Sequence, residues 1–187
     1  MKLGILTSHG GSLIQSAIAA GVAIGVIICN NSKTVALQRA RQLGVAHYHL
    51  STRTHPQPKQ LDRAIKNALL AHGCGFVLLA GYMKRLGDET LAEFKGRIIN
   101  SHPSLLPKFG GTGCYGRRVH EAVIAAQERQ TGITVHYVEG HYDSGPIIEQ
   151  HVVPVLPDDT PHTLEERVKR EEIDFLASVI RKLAGSE

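Results

Sequence analysis

Leu3-Gly4-Ile5-Leu6-Thr7-Ser8-His9-Gly10-Gly11-Ser12-Leu13-Ile14-Gln15-Ser16-Ala17-Ile18-Ala19-Ala20 opens the chain and decides its fold class. Leu3–Leu6 is an apolar run too short for a helix and suited to a buried strand. It ends in the turn-forming Ser8-His9-Gly10-Gly11-Ser12, after which a helical stretch runs over about Leu13–Ala20. Val22–Cys29 is a second apolar run and stops at Asn30-Asn31-Ser32. A strand, a short glycine-rich turn, a helix and another strand form the repeating unit of a parallel sheet.

The same alternation continues downstream. Thr34–Leu43 has helical composition and stops at Gly44, and Pro58–His72 places Leu61, Ile65, Ala68 and Leu69 on one helical face. Phe76–Ala80 is a dense apolar strand, a helix lies near Asp88–Phe94, and Ile98–Ile99 is a short strand. Ser101–Gly116 is rich in Pro and Gly and reads as a long functional loop. A helix at about Arg117–Gln127 follows, then strands at Ile133–Val138 and Ile147–Val155. Thr160-Pro161 supplies an N-cap and first-turn pair for a last helix to about Ala184. The expected architecture is α/β, a mostly parallel twisted sheet with helices on both faces, in one domain over residues 1–187.

Composition narrows the function. The chain has 187 residues, 42% of them hydrophobic and 20% charged, which suits one globular domain with its own core. Its 21 Lys+Arg against 17 Asp+Glu give a net charge of +4, and acids interleave with the bases, so no nucleic-acid partner is expected. Cys29, Cys74 and Cys114 form no C-x-x-C pair, which argues against disulfides and a thiolate zinc site and for a reducing cytoplasm. Leu13–Cys29 is interrupted by Gln15, Ser16, Gly21 and Gly25, so no membrane span is expected. His47, His49, His136 and His141 lack a matching set of carboxylate or Cys ligands, so no metal is expected either.

Four groupings can carry chemistry. Gly10, Gly11 and Ser12 stand where a helix N-terminus could cradle a phosphate, or they simply make a tight turn. Asn100 and His102 lie two apart at the carboxyl end of a strand, which in extended backbone sends both side chains to one side. At the carboxyl ends of strands in an open α/β sheet, such a pair suits acyl transfer: the His handles a proton and the amide N–H meets developing oxyanion charge. The alternative is a loop-positioning Asn and a satisfied His. Asp143, before Ser144-Gly145-Pro146, is either a turn-former or the carboxylate that orients a His such as His136. Glu172 falls on the apolar stripe of the last helix with Leu164, Val168 and Leu176. An inward acid there needs a Lys or Arg partner or a ligand hydroxyl, unless it reaches water at the stripe edge.

Taken together, these segments resemble the folate-dependent formyltransferases. Asn100-Ser101-His102-Pro103-Ser104-Leu105-Leu106-Pro107 is similar to that family's N-x-H-P-S-L-L-P signature. Leu79-Ala80-Gly81-Tyr82-Met83, Thr134-Val135-His136 and Asp143-Ser144-Gly145-Pro146-Ile147 match its other segments in the same order. The resemblance implies a Rossmann-like formyltransferase fold. It also implies transfer of a formyl group from 10-formyltetrahydrofolate, as cosubstrate, to the amine of glycinamide ribonucleotide. On the matching positions it implies Asn100, His102 and Asp143 as catalytic: Asn100 and protonated His102 stabilise the oxyanion, while Asp143 keeps His102 charged and relays the proton. Thr134 and His136 would support them. Met83, Lys84, Arg85 and Leu86, with the loop Val138, Glu139, Gly140, His141 and Asp143, would hold the folate. Gly10, Gly11, Ser12 and Leu13 would meet the phosphate, Lys169 would lie near the substrate, and Glu172 would contact ribose hydroxyls. Leu13 departs from the family's usual Asn, which shifts phosphate binding to backbone amides and to His9. Transferases of tRNA or sugar nucleotides and the formyl-folate hydrolase are longer chains, so small-molecule substrates and a monomer or homodimer are expected. A non-catalytic folate- or nucleotide-binding module is the other class of reading.

Overall fold

The computed structural model describes residues 2–140 and 143–185. Its centre is β1 (Lys2–Thr7), flanked by β2 (Ile24–Cys29) and β4 (Cys74–Leu79). With β3 (Ala46–His49), β5 (Ile98–His102), β6 (Gln130–Tyr137) and β7 (Ile147–Pro154), these strands make one seven-stranded sheet in the order β3-β2-β1-β4-β5-β6-β7. Pairing is parallel from β3 to β5; β6 and β7 each run antiparallel to their neighbour. This is the mostly parallel α/β sheet that the strand–helix alternation predicts.

Helices cover both faces. On one side α1 (Ile14–Ala19), α2 (Val35–Gln42) and α6 (Pro161–Ala184) enclose Ile5, Ile27, Leu78 and Ile99. On the other, α3 (Pro58–Ala71) and the short α4 (Asp88–Glu93) enclose Leu6, Val26, Val77 and Ile98. Of the expected apolar face of α3, Ile65 and Leu69 are fully buried, and Leu61 and Ala68 pack at its margin. A smaller cluster joins α5 (Arg117–Ala125) to β6, β7 and α6 through Val123, Ile133, Val153 and Leu164. Thr160 caps α6 reciprocally with Thr163, ahead of Pro161, as the N-cap reading requires.

One strand and the end of another differ most from the sequence reading. The strand β3 is not anticipated there: Ala46-His47-Tyr48-His49 is short, sits at the sheet edge and has no apolar run to announce it. The strand β5 reaches Ser101 and His102, so the long loop begins only at Pro103.

Candidate active site

Strand order reverses between β1 and β4, and the loops that leave their carboxyl ends diverge there. A crevice must open at such a switch point. Ser8 stitches its floor: the backbone N–H of Met83 donates to Ser8 Oγ at 2.7 Å, and Asn31 Nδ2 donates to the Ser8 carbonyl at 2.7 Å. The main cleft holds about 560 Å³ and is walled by His9, Met83, His102, Cys114 and Tyr115. A narrower one lies beside it, between Arg85, Leu86 and Leu91 on one side and Val138 and Gly140 on the other. Asn100 and Asp143 stand in the walls of both.

Asp143 is the hub between them. Its backbone is left-handed, φ 53°, a conformation Asp tolerates better than most residues. The turn after it needs glycine at 145, because a Cβ there would lie 1.8 Å from the Tyr137 carbonyl oxygen. Asp143 Oδ2 accepts from the Gly111 amide at 2.9 Å and stands 3.5 Å from His102 Nδ1. Asp143 Oδ1 lies 3.4 Å from Asn100 Nδ2 and 3.5 Å from His136 Nε2.

Backbone carbonyls fix both imidazole tautomers. His102 Nε2 meets the Phe109 carbonyl at 2.8 Å and His136 Nδ1 meets the Tyr137 carbonyl at 2.8 Å. A carbonyl only accepts, so those nitrogens carry the hydrogens, and in the neutral rings the nitrogens facing Asp143 are bare. Burial pushes the His102 pKa below its ordinary 6.5, against the pull of Asp143 and the Phe109 carbonyl. Burial works to raise Asp143, but its carboxyl is held below the usual range, with the Gly111 amide donating to Oδ2 among the causes. At His102 burial thus works against the expectation that Asp143 keeps the ring charged, while the Asp143 carboxylate pulls the other way from 3.5 Å. Both N–H groups of Asn100 and the N–H of His102 are also committed to protein acceptors, so neither expected oxyanion donor is free.

Residues 3–180 match the model of a family described as Formyl transferase. The chain belongs to that family. A chloroplastic phosphoribosylglycinamide formyltransferase of Vigna unguiculata is 40% identical over 189 residues, covering 97% of this chain and 60% of the relative. The phosphoribosylglycinamide formyltransferase of Bacillus subtilis is 30% identical, covering 98% of this chain and 95% of the relative. The chain thus spans less than two thirds of the plant relatives it matches, 60% and 64%, and nearly all of the Bacillus one. Among solved structures, glycinamide ribonucleotide transformylase 1 from Symbiobacterium toebii superposes with a TM-score of 0.90 at 34% identity, covering 99% of this chain and 88% of that one.

Within this formyl transferase framework the remaining expected residues divide. Arg85, Leu86, Val138 and Gly140 line the narrower cleft, Met83 lines the main one, and Lys84 lines both. Glu139 is in neither wall, and His141 lies outside the described residues. Gly10, Gly11 and Ser12 form the turn after β1, beside His9 in the main cleft. Leu13 is 7% exposed and its side chain joins the core, so only its backbone can meet a ligand. Lys169 is drawn away: its ammonium pairs with Glu165 at 2.7 Å, and it lines neither cleft. Glu172 is buried, as its stripe position predicts, and its protein partner is a hydroxyl and not a Lys or Arg. Ser101 Oγ donates to Glu172 Oε1 at 2.6 Å, and burial pushes that carboxyl up to about 7. Strand alternation accounts for this: Ser101 follows Ile99 toward α6, while Asn100 and His102 follow Ile98 toward the other face. Thr134 Oγ1 donates to the Ser104 carbonyl at 2.7 Å and accepts from the Leu106 amide at 3.0 Å, which shapes the loop after His102.

Three contributors escape sequence reasoning. Arg39 of α2 donates to the Gly11 carbonyl at 3.2 Å, bringing a guanidinium behind the glycine turn. Gln150 of β7 donates to Leu106 O and Thr134 Oγ1. The Phe109 carbonyl sets the His102 tautomer. Each acts across at least seven residues of chain, and no local pattern marks it. Among the described residues no cluster of His, Cys, Asp and Glu is arranged to hold a metal ion, and no helix is long and apolar enough to cross a membrane.

Proposed function

We propose that this chain transfers the formyl group of 10-formyltetrahydrofolate to the primary amine of glycinamide ribonucleotide. The observation that carries the reading is the Asp143 carboxylate 3.5 Å from both His102 Nδ1 and His136 Nε2 at the junction of two clefts. Amine attack on a formyl carbon forms a C–N bond and leaves a proton to be removed. Collapse of the tetrahedral intermediate breaks the bond to folate N10, which takes a proton back. A carboxylate and an imidazole 3.5 Å apart, both held below their ordinary pKa, suit that exchange. His102, once protonated at Nδ1, gives a cation beside the oxyanion, and Asp143 holds it there.

The folate lies in the narrower, largely apolar cleft, along Lys84–Leu86, Val138 and Gly140. The ribonucleotide lies in the main cleft with its phosphate at Gly10–Ser12, beside His9 and where the Arg39 guanidinium adds positive charge. Relatives bearing this activity in their names, matched along nearly the whole of this chain, support the assignment. The free Cys29, Cys74 and Cys114 suit a reducing compartment, and we place the protein in the cytoplasm.

The test is a formyl-transfer assay with purified protein, both substrates and the Asn100→Ala and His102→Ala variants. Formylated glycinamide ribonucleotide is expected from the unaltered chain, with turnover lost in both variants. Formate release without an amine acceptor would point to a hydrolase, and transfer only to an amino sugar nucleotide would reassign the acceptor.

A further inference from the structure

The amide of Asn100 can sit in either of two orientations, and its neighbours decide between them. Asp143 Oδ1, 3.4 Å away, belongs to an ionised carboxylate and only accepts, so the amide atom facing it has to be the nitrogen. That nitrogen is also the atom 3.1 Å from His136 Nε2. A donor already stands there, so Nε2 must be an acceptor and must be bare. The Tyr137 carbonyl, 2.8 Å from Nδ1, independently places a ring hydrogen on that other nitrogen. The two constraints agree. Asn100 therefore spends one N–H on Asp143 and the other on His136. Its oxygen accepts nothing from the described residues, and the residue stands in the wall of both clefts.

We infer that His136 is a positioning residue that, with Asp143, turns the Asn100 carbonyl oxygen toward the clefts, so that Asn100 meets the incoming amine as a hydrogen-bond acceptor. The oxygen takes an N–H of the nucleophile and aims its lone pair at the formyl carbon. This assigns Asn100 a role in the reactant complex different from the oxyanion donor expected from its residue type. The part concerning the amine rests on the proposed formyl transfer; the orientation itself does not.

The two parts are tested separately. Protein labelled with ¹⁵N in histidine is measured by NMR at neutral pH, and the His136 signals are assigned by their loss in His136→Phe or, should that variant fold poorly, His136→Gln. A pyridine-type Nε2 and pyrrole-type Nδ1 are expected. A pyrrole-type Nε2 would overturn the inference, because it needs the amide oxygen facing inward. In kinetics, His136→Phe frees the amide, and KM for glycinamide ribonucleotide is expected to rise about tenfold, the scale of one lost hydrogen bond, with KM for the formyl-folate unchanged. Equal changes in both constants would remove the positioning role. Absence of any turnover in the unaltered protein would sink the functional reading alone, since the tautomer is read without substrate.

Discussion

His102 Nδ1 and Asp143 Oδ2 stand 3.5 Å apart with no hydrogen of the neutral ring between them, because the ring's one N–H is given to the Phe109 carbonyl. The gap is set by two backbone features: the end of β5, which carries His102, and the left-handed turn that carries Asp143. A proton entering that gap turns two acceptors into a charge-assisted hydrogen bond.

The first prediction concerns pH. Burial holds the His102 pKa below 6.5, so the ring is a competent acceptor at neutrality and becomes blocked as pH falls. The acid limb of kcat/KM is expected to have its midpoint below 6.5. In Asp143→Asn the carboxylate that opposes burial is gone, so the His102 midpoint, followed by NMR, is expected to move lower still. A midpoint that rises in the variant would contradict this account of the electrostatics.

Asp143→Asn also removes the proton's counter-charge while leaving shape almost intact. We expect kcat to fall by about 10²-fold or more, the usual range for a lost acid–base group, with both KM values within a factor of about three. Steady-state kinetics at the pH optimum decide this, and a loss of less than about tenfold would mean the proton leaves by another path.

Glu172 gives stability a pH dependence whose sign can be worked out. Its folded carboxyl titrates at about 7, above the ordinary 4.5. The unfolded chain therefore releases its proton first as pH rises, so folding loses stability between about 4.5 and 7 and carries a constant penalty above that. A shift of this size corresponds to about 3 kcal/mol. Glu172→Gln cannot ionise. Urea denaturation of both proteins at pH 5 and pH 8 is expected to show the variant gaining on the unaltered chain by roughly that amount at the higher pH. A gain that is the same at both pH values would mean Glu172 is already charged in the fold.

The glycine turn offers a sharper probe of the phosphate site at position 10 than at 11. Gly11 has φ 62°, and a Cβ there would lie 2.6 Å from Ile14 Cδ1, so any substitution costs about 1–2 kcal/mol of backbone strain before it tests binding. A Cβ at Gly10 would meet nothing within 4 Å. Gly10→Asp should thus leave the melting temperature unchanged and raise KM for the ribonucleotide about tenfold or more, without affecting the folate. A parallel rise in both constants would remove phosphate from this turn.

Thr134→Val keeps shape and deletes a hydroxyl that serves the Ser104 carbonyl, the Leu106 amide and Gln150. The buried Leu106 amide then lacks its acceptor, a loss of about 1–3 kcal/mol by chemical denaturation. Full retention of stability would show that the loop after His102 is held by other contacts.

Much of this was legible in residue order. Leu3–Leu6, Val22–Cys29 and Phe76–Ala80 announce the parallel strands because strands buried on both faces read as unbroken apolar runs. The edge strand at Ala46–His49 has no such run and stays silent. Within the site, Asn100, His102 and Asp143 do converge as their motifs imply, but their protonation does not follow from their identities. It depends on the carbonyls of Phe109 and Tyr137, which every residue type carries, and on burial, which only the packed fold defines. Glu172 is half legible: periodicity places it inward, yet its partner is Ser101 because strand alternation turns that one side chain toward α6.

The peptide joining Asn100 to Ser101 consequently acts as a border. On one side of it Asn100 and His102 face the clefts, and on the other Ser101 faces Glu172 of α6. Substitutions at Glu172 therefore act on Asn100 and His102 through the strand that carries Ser101, not by direct contact.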